Sequence, residues 1–516
     1  MDKDIIEVKK MYEEAVNIHD RYQFEVKLGY PLHQDQEQTS YLVSMYLFIP
    51  ESLGIRQTTY TKEDFYRDMQ SHIRLKTPSI PLAGLVKESD SPYARLAASL
   101  HALSGNSNTE ALKNCGYLIK MFCCIFKSAL RDHIISFDSY CNRCESEPFI
   151  KIYIETMKDV ISSYRLLPSD IDIRNISEEL FHIYNWGDEY ISLLTTSYAY
   201  ELLEALRKSG YQEEHPCRAS LLSFIREEMG YCHDNRFKSC PDNHSANETF
   251  FYRKSMLKKS MESALYLDTS IKPEGAILEH LIFGVAAGLA MLFATVVTFF
   301  VQYVYGTITL QVFLIIIISY MFKDRIKELL KAYFSGKLHN KLYDHKIEIF
   351  DGINEKIGTL EESFVFVKAD HVPPDIMRMR NEDHKGDFIE QWRKERIILY
   401  RKKVRLFGDK FQRVYRNFSI NALNDIMRFN VINYISKMDD PQQSLYVLEE
   451  DGYRKIDGQR VYHLNMVTVY TMDEQDVYKR FRIILNRDGI KHIEHITEGI
   501  VEKVGAVEKG DPMIYW

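Results

Sequence analysis

Residues 280–322 read HLIFGVAAGLAMLFATVVTFFVQYVYGTITLQVFLIIIISYMF, without one Asp, Glu, Lys or Arg in a chain that is 27% charged. As a helix, residues 281–303 are long enough to cross a hydrocarbon core of roughly 30 Å at about 1.5 Å per residue. A second apolar piece, residues 307–322, follows the turn-like Val304-Tyr305-Gly306. Together they predict a two-helix transmembrane hairpin. The alternative is a buried helix pair in a soluble core, but core helices rarely run so far without a charge. The second helix is the shorter, and spans if it starts before Gly306 or if Lys323 and Arg325 reach back to the headgroups.

Within the first helix Gly284, Ala287, Gly288, Ala290 and Ala294 form a stripe of small residues that includes a GxxxG. Small side chains at this spacing let two backbones approach closely. They are expected to pack the first membrane helix on the second, in preference to forming a homodimer. Arg253, Lys254, Lys258, Lys259 and Lys272 precede the hairpin, and Lys323, Arg325, Lys327, Lys331 and Lys337 follow it. By the positive-inside bias both termini are expected in the cytoplasm, with the hairpin in an inner or cytoplasmic membrane. Residues 1–7 have neither a basic nor an apolar region, so no cleavable secretory signal is expected.

Outward from the hairpin, 516 residues suggest several domains. Residues 1–90 read as an α/β segment: a helix over 4–19, then strands over 22–30 and 41–49 pairing around a polar loop. A helix over 62–71 follows, with Thr61 as N-cap. Residues 91–272 read as mainly helical, with apolar residues at three- and four-residue spacing over 94–103, 112–135, 150–164 and 191–209. Residues 323–440 read as a basic helical region, with helices over 387–406 and 419–438. Residues 441–516 return to period two, with strands over 444–448, 459–471, 477–485 and 490–496, and Asp451-Gly452, Asp457-Gly458 and Asp488-Gly489 as turns. The expected fold is therefore a multi-domain integral membrane protein. A hairpin over 276–322 joins a mainly α-helical N-terminal region to an α+β C-terminal domain with an antiparallel meander.

The net charge of −7 argues against a surface built for nucleic acid. All eight cysteines lie between Cys115 and Cys240, and a cytoplasmic location would keep them reduced. Cys141 and Cys144 form a C-x-x-C, with Cys217, Cys232 and Cys240 downstream beside His215, His233 and His244. A tetrahedral zinc site would need four such ligands, and the second close pair that makes the pattern specific is missing. Buried core thiols are the plainer reading.

No phosphate-binding loop, GxGxxG, HExxH or GxSxG occurs. The basic run 393–416 holds Arg401, Lys402, Lys403 and Arg405, interleaved with Tyr400, Phe407 and Phe411. Anionic lipid or nucleic acid would suit such a run, lipid the better beside a membrane, but a solvated helix face with its aromatics buried is the plainer reading. The expected function is a membrane-anchored cytoplasmic binding or regulatory platform without catalysis or cofactor. Its partners would be the bilayer and either another protein or a second copy. A metal-dependent hydrolase or nucleotide-processing enzyme using the Cys/His cluster is the alternative. An oligomeric pore is weaker, since Thr295, Thr298, Gln302, Gln311 and Ser319 are the only polar side chains other than tyrosines and threonines of the turn that it could use.

Overall fold

The computed structural model describes residues 14–506 except 33–35, 106–107, 142–145, 171–176, 210–214, 242–246, 274–275, 307–309, 340–342, 353–354, 382–394, 416–419, 421, 451, 473–474 and 498–499. The chain divides into two compact units. The first gathers Met1–Ile73, Leu267–Val414 and Leu423–Trp516, and the second Arg74–Tyr266 with Tyr415–Ala422.

In chain order the strands are β1 (Glu14–Asp20), β2 (Gln23–Pro31), β3 (Gln38–Pro50), β4 (Met69–Leu75), β5 (Asp268–Pro273), β6 (His345–Phe350), β7 (Lys356–Val367), β8 (Glu395–Phe407) and β9 (Ala422–Asn430), followed by β10 (Gln442–Glu449), β11 (Gly452–Gln459), β12 (Tyr462–Met472), β13 (Gln475–Asn486), β14 (Gly489–Thr497) and β15 (Ile500–Ala506). Nine of them form an antiparallel sheet in the order β15-β14-β13-β12-β3-β8-β7-β6-β5, and β1-β2-β9-β4 form a second sheet. The N-terminal strand β3 is thus central. It pairs with β8 from Gln38↔Phe407 to Pro50↔Glu395, and with β12 from Leu42↔Thr471 to Phe48↔Asn465.

Strict alternation builds the layer between the two sheets. Phe24, Val26, Leu28 and Tyr30 of β2 are buried while their neighbours are half-exposed, so one face of the strand supplies the core. Phe24 stacks on Phe429 at 5.1 Å between ring centroids, and Tyr30 meets Tyr41 at 5.3 Å. Helix α1 (Lys62–Asp68) adds Phe65, whose ring lies 4.5 Å from Phe364 and 5.6 Å from Tyr400. Thr61 and Asp64 close a reciprocal capping box, which fixes where α1 begins.

The second unit is helical: α2 (Pro92–Gly105), α3 (Thr109–Cys141), α4 (Ser146–Asp170), α5 (Glu178–Lys208), α6 (Pro216–Asp234) and α7 (Glu248–Glu262). Its centre is α3 against α5. Gly187 of α5 leaves room for Tyr164 of α4, since a Cβ there would lie 2.4 Å from the Tyr164 hydroxyl. Tyr164 and Tyr184 stack at 4.8 Å, and each hydroxyl donates to the other's carbonyl.

In the first unit, β5 and β6 are joined through two long helices, α8 (Ala276–Tyr305) and α9 (Leu310–His339), which pack along one another. A shorter helix, α10 (Pro374–Asn381), contributes Ile376 to a cluster with Tyr46, Phe48, Ile397, Val467 and Val469.

These elements correct the expected fold class. The protein is mixed α/β with large antiparallel sheets, and does not have a two-helix transmembrane hairpin joining a helical half to an α+β half. Among the described residues one helix, His280–Val304, is long and apolar enough to cross a membrane. Helix α9 fails that test because its apolar part ends at Phe322 and Lys323-Asp324-Arg325 follow within the same helix. A single candidate span does not support a two-span protein with both termini cytoplasmic.

Local expectations also changed. The strands over 22–30 and 41–49 exist but do not pair with each other. The helix expected over 4–19 lies outside the described residues up to 13, and from Glu14 it is β1. Of the helices expected over 387–406 and 419–438, residues 387–394, 419 and 421 lie outside the described residues, 395–406 belong to β8, and 422–430 are β9, followed by a short helix over Ile432–Ile435. Asp457-Gly458 lies inside β11, whereas Asp488-Gly489 does turn the chain between β13 and β14, with Gly489 at φ +130.

Candidate functional site

Three features of the fold have the chemistry to matter, and the largest is the apolar arm. Leu281, Val285, Leu289, Leu292, Val296 and Phe299 on α8 are all exposed. The side of α8 that packs on α9 is narrow, comprising Ala286, Ala290, Ala294 and Val301, with Val312 and Ser319 buried on α9. Of the expected small-residue stripe, Ala290 and Ala294 lie in this seam and Ala287 at its margin. Gly284 and Gly288 are exposed, and a Cβ on either would meet nothing within 4 Å. The four-residue step from Ala286 was the sequence signal for the seam. Lys331 of α9 sets its Nζ 4.4 Å from the Phe283 ring, and Lys323 lies 3.6 Å from the ring of Tyr320.

The second feature lies between the sheets. Lys402 of β8 is fully buried, its Nζ 2.5 Å from Asp425 Oδ2, 3.1 Å from Glu362 Oε1 and 3.0 Å from Ser71 Oγ. Ser71 in turn donates to Asp425 at 2.8 Å, and the Tyr30 hydroxyl donates to the same carboxylate at 3.3 Å. Burial works against the Lys402 ammonium, but the charges of Asp425 and Glu362 outweigh it and raise its pKa. Burial first, then Asp425, drives the Tyr30 phenol well above its ordinary value, so it stays a donor. The cation is therefore committed to its two carboxylates.

That placement bears on the basic run. Arg401, Lys402, Lys403 and Arg405 sit on a central strand, where Lys403 faces Glu361 and Lys402 faces Glu362 across the ladder with β7. Arg405 makes two hydrogen bonds to Glu361, at 2.9 and 3.2 Å, and Arg401 reaches Ser363 at 3.2 Å. Lys402 is sealed from any lipid or phosphate. The sequence did carry the signal: Ile398, Tyr400, Lys402, Val404 and Leu406 recur at period two, and all are buried.

The third feature ties three helices of the second unit together. Arg165 on α4 donates from Nε to Asp188 on α5 at 3.0 Å, and with its two terminal nitrogens to Glu228 on α6 at 3.2 and 2.5 Å. Ser192 donates to Glu228 at 2.5 Å, Tyr231 donates to Asp188 at 2.6 Å, and the guanidinium lies 3.4 Å from the Tyr231 ring centroid. Burial raises the Asp188 carboxyl above its usual value against the lowering effect of Arg165. No spacing in the sequence announces this cluster, because its members come from helices far apart in the chain.

The thiols divide. Cys115, Cys123 and Cys124 are buried on α3. Cys144 and the side chain of Cys141 lie outside the described residues. Cys217 opens α6 and Cys232 lies near its end, about 22 Å apart along the axis at 1.5 Å per residue. Cys240 follows α6, its sulfur 3.8 Å from His233 Nε2. Among the described residues no group of three or more His, Cys, Asp or Glu side chains is arranged to hold a metal ion.

No known family model matches this chain, and neither a curated protein nor a solved structure matches it. The fold and these clusters define a mixed α/β protein with an apolar helical arm.

Proposed function

We propose that this protein is a membrane-anchored platform for binding or regulation, held at a bilayer by α8, with no catalytic step of its own. One observation carries the reading: over His280–Val304 only 17% of the most apolar stretch is buried, at a mean hydropathy of 2.3. Side chains such as Phe299 and Leu292, 69% and 60% exposed, would each lose about 1.5–3 kcal/mol in water relative to an apolar surrounding. A bilayer supplies that surrounding. The platform half of the proposal is supported by how the charged clusters are used. Lys402, Asp425 and Glu362, and likewise Arg165, Asp188 and Glu228, are engaged with one another inside the two units.

Flotation with phospholipid vesicles, followed by alkaline carbonate washing, tests the anchor. The full chain should float and resist the wash, and the variant carrying Leu289→Arg, Leu292→Glu and Val296→Glu should stay at the bottom of the gradient while keeping its circular dichroism spectrum. Recovery of the unaltered chain in the carbonate supernatant would sink the proposal.

A further inference from the structure

Strands β10 and β11 form a sheet of their own, and among the described residues they pair with no other strand. Their register runs from Gln442↔Gln459 to Glu449↔Gly452 without a bulge. All eight residues of β10 are exposed. Tyr446 and Leu448, with Tyr453 opposite Leu448, share one face and are 68%, 88% and 73% exposed. The two tyrosine rings meet at 5.7 Å. Leu445 and Val447 lie on the other face, also exposed. A two-stranded sheet is only marginally stable in water, and three or more strands with an apolar face are needed for independent stability. The hairpin therefore carries apolar surface on both sides and an open backbone edge, with nothing of its own unit to complete it.

We propose that a second copy of the chain completes it, β10 pairing antiparallel with its counterpart across a two-fold axis to build a four-stranded sheet in the order β11-β10-β10-β11. The two edges of the hairpin differ in a way that selects β10. From Gln442 to Leu448 it has no charge and no proline, the pattern of an edge open to pairing, whereas β11 presents Arg454, Lys455 and Asp457, and charges on an edge resist pairing. Glu449 and Glu450, exposed at the end of the hairpin, disfavour its burial in lipid. The side chains also select a register. Centred on Tyr446, the pairing sets Tyr446 against its own counterpart, Leu445 against Val447 and Gln443 against Glu449, so that no like charges oppose one another. Centring on Leu445 would set Val447 against Gln443, and centring on Val447 would set Leu445 against Glu449. The interface uses no residue of α8, so it stands or falls apart from the anchor.

Sedimentation of the full chain in detergent at rising concentration tests this. The protein mass should approach twice 60.7 kDa, and Tyr446→Lys, which sets two ammonium groups against each other, should return it to 60.7 kDa while the circular dichroism spectrum is kept. Directly opposed residues of an antiparallel pair lie about 4.5–5.5 Å apart, within disulfide reach, so Tyr446→Cys under mild oxidation should give a dimer linked through position 446. Ile456→Cys should give none, because the two copies of β11 would lie roughly 14 Å apart, three strand spacings. A monomer at every concentration, a dimer that Tyr446→Lys leaves intact, or linkage at 456 in place of 446 would overturn the proposal.

Discussion

Replacing Lys402 with Met isolates the ionic cluster between the sheets. Met fills a similar volume but leaves Asp425 and Glu362 buried without their cation. At an effective dielectric near 20, charges 2.5 and 3.1 Å apart attract by about 7 and about 5 kcal/mol before desolvation is subtracted. Desolvation of three buried ions offsets most of that, and removing one partner of such a group costs about 3–5 kcal/mol. For a unit of this size about 2 °C is lost per kcal/mol, so calorimetry of the full chain in detergent should place the first unit's transition about 6–10 °C lower. The pH dependence gives an independent sign. In the unaltered chain the raised Lys402 pKa means its contribution is complete below the unfolded value of about 10.4 and is lost as pH rises through the higher folded value. Adding Glu362→Gln and Asp425→Asn should restore most of the loss, because Asn at 425 still offers an acceptor to Tyr30 and Ser71. A fall below about 2 °C would refute the reasoning.

Two further outcomes follow from packing. Gly187→Ala drives a methyl into the Tyr164 hydroxyl and should cost about 1–3 kcal/mol in the helical unit, whereas Gly284→Ala, with nothing within 4 Å, should cost nothing measurable by the same calorimetry. Arg165→Met strands two buried carboxylates and should cost about 3–5 kcal/mol, read as an earlier loss of helical circular dichroism, and Arg165→Lys should recover only part because it cannot grip Glu228 with two nitrogens.

What could be read from the chain was what local pattern determines. The N-cap at Thr61, several helices of the second unit and strands β10, β12, β13 and β14 followed from period and turn residues. Strands β8 and β9 did not, for a physical reason. On β8, Arg401, Lys403 and Arg405 alternate with buried residues, and a strand so rich in Lys and Arg also satisfies the charge pattern of an exposed helix. On β9 six successive residues from Ala422 are buried, so the period-two signal vanishes as it does in any strand covered on both faces. Asn424 and Asp425 fall within that run, and a buried carboxylate becomes intelligible only once Lys402 is placed beside it. Strand β8 has β3 as a partner, hundreds of residues away, and pairing at that distance leaves no local trace. The candidate sites suffered likewise: the GxxxG was legible, but whether its open side or the Ala286 side met a neighbour depended on where α9 lay.

The attachment of the arm explains how one protein can carry both a soluble-type sheet and an apolar helix of this length. Strands β5 and β6 are antiparallel neighbours, and Pro273 lies opposite His345 in their ladder. The chain therefore leaves the sheet before α8 and returns after α9 at the same place, as a hairpin with a very long connection would. Both sides of that point are fastened. Lys272 reaches Glu348 at 2.6 Å, and Asp344 accepts from Lys62, from the Tyr66 hydroxyl at 3.0 Å and from the Phe364 N–H at 2.7 Å. Because β5 is the last strand of its sheet, the insertion interrupts no other pairing. Loop closure costs only about 0.6 kcal/mol for each doubling of length, so even a connection of this size adds little strain to the ladder. The ring contacts between the sheets that run from Phe24 through Phe429 and Phe65 to Tyr400 use no residue of α8 or α9. The exposed apolar face of α8 is thus not material the core failed to cover. It is surface held outside the core by a connection that the sheet itself fastens, which is the arrangement the proposed anchor into lipid would use.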